Sequence, residues 1–175
     1  MQFEKSNTKQ NLMTAFLRES GAFNEYTFYA EQAKKEGYEE VYNIFTKFAE
    51  NEQAHAKVWF KLWHGIAGTV DNLIDAMDLE NYERKVLYSS FSKTAKEEGF
   101  NDIANIIDLV AKVEGRHAQT YKQLAEKIKG DKMFCQDKAV KWKCLNCGHE
   151  LTDECAPEIC PLCYHPKAFF TQTGK

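Results

Sequence analysis

The sequence predicts a mostly α protein: a four-helix bundle followed by a small cysteine module of knuckles and short strands. Three observations predict it. All six Cys and all three Pro of the 175 residues lie at or beyond Cys135. An interior proline removes a helical hydrogen bond and clashes with the preceding turn, so 134 proline-free residues suit long helices. The stretch beginning at Tyr26 repeats in the stretch beginning at Tyr88, at a constant offset of 62 residues. The tail after Gly130 is too short to stand on apolar burial alone, yet it holds two C-x-x-C pairs. The expected domains are 1–130 and 131–175.

Composition narrows the function. With 43% hydrophobic and 28% charged residues, the chain can bury a core and is no candidate for wholesale disorder. A net charge of −3 lacks the concentrated basic face of a nucleic-acid binder. No apolar run approaches the roughly 20 residues of a membrane span. The opening MQFEKSNTKQNLM also lacks the apolar stretch of a secretory signal. The expectation is a soluble, cytoplasmic protein with neither nucleic acid nor membrane as a partner.

Helices are expected at 10–35, 39–63, 71–97 and 101–129. Across the repeat Ala33 faces Ala95, Glu36-Gly37 faces Glu98-Gly99, Ile44 faces Ile106, and Glu52 and His55 face Glu114 and His117. Each copy reads as helix, glycine stop, helix, because Gly supplies the left-handed residue that ends many helices. Apolar residues then recur at helical spacing, as Val41, Ile44, Phe45, Phe48 and as Ile103, Ile106, Ile107, Val110. Two such hairpins are best satisfied by packing as a four-helix bundle.

The second and fourth helices each carry Glu-x-x-His, namely Glu52/His55 and Glu114/His117. That spacing puts both side chains on one face, one turn apart. The first helix adds Glu19, and the third adds Glu80 and Glu83. A Glu from each of two helices plus a Glu-x-x-His from each of the others is the di-iron carboxylate pattern of ferritin-like bundles. Two neighbouring cations need carboxylates to offset their repulsion, and imidazoles complete the shell without adding charge. A single E-x-x-H is usually a solvated pair. Two at matched positions of a repeat, with acids on both other helices, point to metal. Glu25, Glu31, Glu50, Glu97 and Glu126 read instead as solvated faces.

Glu19 breaks the offset, since Asn81 stands 62 residues on. One residue inserted into the third helix explains this, and a π-bulge would absorb it. Tyr26 and Tyr88 fall near the carboxylates, either to orient a ligand by hydrogen bonding or to pack in the core. Trp59, Trp63 and Met77 read as core or interface. In a ferritin-like bundle the second and third helices run parallel, and His64 to Val70 is short for that crossing. Either the third helix starts later, or the hairpins pair with those of a second chain.

Cys144-x-x-Cys147 and Cys160-x-x-Cys163, 12 residues apart, make a tetrahedral four-thiolate site suited to zinc or a single iron. Disulfides are uncommon in a reducing cytosol, so Cys135 and Cys155 read as reduced bystanders. Trp142, Pro161, Pro166 and Phe169-Phe170 supply packing for so small a module.

Glu19, Glu52-x-x-His55, Glu80-x-x-Glu83 and Glu114-x-x-His117, followed by WKCLNCGHEL and APEICPLCYHPKAFF, resemble a rubrerythrin over nearly the whole chain. The resemblance implies a ferritin-like di-iron domain joined to a rubredoxin-type iron site, with zinc as the alternative metal there. It implies an oxidoreductase of oxidative-stress defence that reduces hydrogen peroxide, fed from reduced nicotinamide through carriers such as a rubredoxin or its reductase. It implies a homodimer in which the Cys module serves the bundle of the other subunit. By motif, Glu52 and Glu114 bridge the irons, Glu19 binds one, and Glu80 and His117 bind the other. Glu83 and His55 then alternate on a mobile iron, Tyr26 and Tyr88 line the site, and the four knuckle cysteines hold the rubredoxin-type iron. Arg18 and Leu79 stand where the family often has Gly, and Tyr164 where Gly usually ends the second knuckle. The alternatives are a ferroxidase handling iron, or a peroxide or metal sensor with structural zinc in the Cys₄ site.

Overall fold

The computed structural model describes residues 2–173. Helix α1 runs Asn7–Lys35 and α2 runs Glu39–Trp63. Helix α3, Thr69–Tyr82, continues through a π-helical turn, Glu83–Leu87, into α4, Tyr88–Glu97, and α5 spans Asn101–Lys129. Strands β1 (Cys135–Cys144), β2 (Glu150–Cys155) and β3 (Phe170–Thr173) form an antiparallel sheet in the order β2-β1-β3. The mostly α class and the small C-terminal strand module are as the sequence predicts.

The chain forms two compact units, one up to Ile66 and one from Ala67 on. In the first, the Ser6 hydroxyl caps α1 by accepting a hydrogen bond from Lys9 N–H at 3.2 Å. That helix ends on Gly37 at φ +83°, with Tyr38 N–H bonded to Ala33 O and Gly37 N–H to Lys34 O. These are the two reverse bonds of a glycine-terminated helix, and they turn the chain straight into α2. The second unit repeats the device at Gly99, φ +87°, with Phe100 N–H on Ala95 O and Gly99 N–H on Lys96 O.

What the hairpins bury is small. Among the described residues, the buried helical ones are Ala30, Ala33, Ala49 and Ala56 in the first unit, and Ser92, Ala95, Ala104, Ala118 and Ala125 in the second. Such residues let helix backbones approach closely. They also leave Val41, Ile44, Phe48, Val58 and Leu62 exposed on α2, and Ile103, Ile106 and Leu109 exposed on α5. Phe16 against Phe60 and Trp63, with ring centroids 5.1 and 5.6 Å apart, closes the end of the first hairpin. The module has its own core of Trp142, Cys144, Ala156, Cys160 and Phe170. There Trp142 Nε1–H donates to Asp153 O at 3.1 Å.

Candidate metal centres

On the first hairpin, Glu19, Glu52 and His55 present ligand atoms within 4.8 Å of one another. Glu19 comes from α1, while the one-turn spacing on α2 sets His55 Nδ1 3.0 Å from Glu52 Oε2. Both carboxylates are half-buried and the imidazole is exposed. Tyr26, about two helical turns along from Glu19, packs its ring 6.0 Å from Phe45.

The second hairpin holds the matching group: Glu80 from α3 with Glu114 and His117 from α5, again within 4.8 Å. His117 Nδ1 lies 2.9 Å from Glu114 and 3.6 Å from Glu80. Burial raises the Glu80 pKa, aided by a hydrogen bond to Glu114 and by that group's charge, with His117 opposing. Burial likewise raises Tyr88, with the charges of Glu83, Glu114 and Glu80 acting in the same direction. Tyr88 therefore keeps its proton and stays a donor beside three carboxylates.

The inserted residue appears as expected. Tyr88 N–H bonds to Glu83 O, five residues back, which defines the π turn. Glu83 opens that turn, close enough to act on Glu80 and Tyr88, but it stands outside the three-ligand group. Arg84, next in the turn, lies across α5 where a Cβ on Gly115 would meet its Nη1 at 2.8 Å.

In the module the four cysteines converge, with Cys144 and Cys163 sulfurs 3.7 Å apart and Cys147 and Cys160 likewise 3.7 Å apart. A tetrahedron with metal–sulfur bonds of about 2.3 Å has edges of about 3.8 Å, so the cluster fits one tetrathiolate metal. Each knuckle is built alike. Cys144 N–H bonds to His149 O and Gly148 N–H returns to Cys144 O, while Cys160 N–H bonds to His165 O and Tyr164 N–H returns to Cys160 O. Without a cation four thiols cannot all ionise side by side. The His149 N–H works to lower Cys147, but burial and the three other thiols push it up to about 12. Cys163 is held at about 6, first by the His165 N–H and then by Cys147, Asn146 and Cys160.

Other sequence expectations sort cleanly. Glu25, Glu31, Glu50, Glu97 and Glu126 are all exposed, and Glu50, Glu97 and Glu126 pair with lysines on their own helices. The reading of Cys135 and Cys155 as separate reduced thiols is corrected: they form a disulfide. Antiparallel pairing of β1 with β2 sets them directly opposite, a register that cysteine spacing does not reveal. Tyr164 adopts φ +61°, the left-handed conformation that Gly148 takes at φ +77° in the first knuckle. No helix among the described residues is long and apolar enough to cross a membrane.

Comparison with known proteins agrees with this chemistry. The rubrerythrin family pattern matches residues 10–125 and again 71–152, and the pattern of the rubrerythrin rubredoxin-like domain matches 142–171. Rubrerythrin-1 of Clostridium acetobutylicum is 43% identical over 94% of this chain and 93% of its own. The rubrerythrin of Nitratidesulfovibrio vulgaris is 38% identical over 97% and 95%. A solved structure of nigerythrin in a mixed-valence state aligns at 28% identity, covering 95% of this chain and 86% of that one, with a TM-score of 0.37.

Proposed function

Because the chain belongs to the rubrerythrin family, we propose that it is a non-haem di-iron peroxidase reducing hydrogen peroxide to two waters. The observation that carries this reading is the matched pair of Glu/Glu/His groups in one chain with a four-thiolate cluster. Residues 1–130 then hold the catalytic irons and 131–175 relay electrons. Glu52 and Glu114 would be shared by the two irons, Glu19 would serve one and Glu80 and His117 the other, with Glu83 and His55 as alternating ligands. When bound, the iron pair supplies two electrons to peroxide, and the tetrathiolate iron replaces them one at a time from a carrier protein.

The chain's own groups handle position and protons. Reduction of one peroxide consumes two electrons and two protons, and releases two waters. Tyr88, whose pKa is raised by burial and by the charges of Glu83, Glu114 and Glu80, keeps its phenol proton available beside the ligand cluster. Tyr26 takes the equivalent position of the repeat on the first hairpin. The raised pKa of Glu80, from burial and its neighbour Glu114, favours its protonated form before metal loading.

Rapid mixing of the anaerobically reduced protein with one equivalent of hydrogen peroxide, against an oxygen control, tests the reading. The visible band of the ferric tetrathiolate centre should rise quickly with peroxide and far more slowly with oxygen. No band, with zinc found in the cysteine site, would move the iron-handling and sensor readings ahead.

A further inference from the structure

We propose that Cys135 and Cys155 are a redox couple: hydrogen peroxide joins them, a dithiol parts them, and the joined form clamps the strand by which the chain enters the metal module. The couple uses no metal, so it goes beyond the peroxidase reading and stands apart from it.

Neither sulfur is needed by the rest of the module. The metal cluster draws on Cys144, Cys147, Cys160 and Cys163, and leaves Cys135 and Cys155 bonded to each other. Nor does the module lack other ties. Four thiolates on one cation hold both knuckles. Trp142, Ala156 and Phe170 pack as a core, and β1 pairs with β2 without interruption from Val140 to Lys143. The disulfide lies at the surface instead, with Cys155 exposed and Cys135 half-buried. Exposed disulfides are the ones that other thiols reach and reduce.

The strand register shows what the bond controls. From Cys135 to Val140 strand β1 advances five residues, while the facing β2 goes only two, from Cys155 to Asp153. Three residues of β1 therefore bulge out of the ladder. The disulfide stands beyond that bulge, where the chain arrives from α5. Beside it the Ala156 N–H donates to Phe134 O at 2.8 Å. A lone hydrogen bond at the end of a ladder opens readily once the covalent tie is gone. With the disulfide closed, residues 130–134 connect Lys129 to the module; with it open, continuous pairing starts at Val140 and the connection becomes 130–139. Its fully extended reach grows from about 22 Å to about 40 Å.

The chemistry balances with peroxide as the oxidant. The exposed Cys155 thiolate attacks one peroxide oxygen: an S–O bond forms, the O–O bond breaks, and the departing hydroxide takes a proton to become water. The product is a sulfenic acid, which condenses with a neighbouring thiol. Cys135 is that neighbour, being its direct partner across the strands. Its sulfur attacks the Cys155 sulfur, the S–S bond forms, the S–O bond breaks, and a second water leaves. The two thiols give up two electrons and two protons in all, and the peroxide gains them. A dithiol reverses the step by exchange, becoming a disulfide itself.

The test uses the full chain with its tetrathiolate metal in place. It is reduced anaerobically with dithiothreitol, freed of the reagent and divided, and one half receives hydrogen peroxide in excess over all bound metal. Alkylation of the folded protein with peptide mass analysis reads Cys135 and Cys155, and hydrogen exchange reads the strand. The reduced half should alkylate at both positions. Its amides over 134–139 and at Ala156 should exchange faster than in the oxidised half, with those of Cys144 and Cys160 unchanged. After peroxide neither sulfur should alkylate. Cys135→Ser should leave Cys155 as a sulfenic acid that dimedone traps, and Cys155→Ser should trap far less at the more buried Cys135; retained metal shows that each variant is folded. Both thiols still free after peroxide, or a bond that dithiothreitol leaves intact in the folded protein, overturns the couple. Equal exchange in the two halves overturns the clamp, and no trapped sulfenic acid in either variant removes peroxide as the direct oxidant. A chain that closes the bond yet shows no peroxidase turnover loses the di-iron reading and keeps this one.

Discussion

Replacing Tyr164 by Gly should tighten the tetrathiolate site. The two knuckles have the same hydrogen bonds, yet the left-handed position holds Gly148 in one and Tyr164 in the other. A left-handed residue with a Cβ costs about 1–2 kcal/mol. Introducing Gly loosens the unfolded chain and returns about 0.5–1 kcal/mol of that. The ring contributes little packing, since Tyr164 is 80% exposed. The net gain is about 0.5–1 kcal/mol, and because metal binding and module folding are one process it appears as affinity. That corresponds to a two- to fivefold rise, roughly, in the chelator needed to strip half the iron, read from the visible band at equilibrium. Gly148→Ala should lower it by a similar factor. A Tyr164→Gly protein that gives up iron at the same or a lower chelator concentration would refute the strain argument.

Three other outcomes are expected. In the metal-free protein the raised Glu80 pKa means that the folded state holds the proton more tightly than the unfolded one. Its contribution is therefore fully present below the ordinary value of 4.5 and is lost as pH rises through the raised value; urea unfolding across that window should show the fall, and Glu80→Gln should flatten it. Breaking the Cys135–Cys155 bond, which spans 20 residues, should cost the metal-free module about 3 kcal/mol, and less once metal ties the same segment. Thiol counting after metal removal, without reductant, should find four reactive groups; six would refute the disulfide. Gly115→Ala should gain nothing while Arg84 lies over it, but about 1 kcal/mol in an Arg84→Ala background, a coupling that a double-mutant cycle measures.

Local chemistry made much of this legible in the sequence. Gly37 and Gly99 mark helix ends because only a left-handed residue closes those reverse bonds, and α2 and α5 fall on their expected bounds. The mismatch of Glu19 with Asn81 located an inserted residue, and the π turn that begins at Glu83, two positions on, absorbs it. What spacing could not give depends on pairing between distant segments. The Cys135–Cys155 bond follows from strand register. Glu83 opens the π turn and falls outside the group formed by Glu80, Glu114 and His117.

The apolar pattern was legible in kind but not in destination. Periodicity at Val41, Ile44 and Phe48 marks a face that must be covered and says nothing of what covers it. The hairpins supply the missing part by closing on alanines, which uses up the small residues and leaves the large ones outside. A duplicated hairpin built this way closes on its small residues, and the one-turn spacing of Glu52 with His55 and of Glu114 with His117 sets each pair on one helix face beside exposed apolar residues.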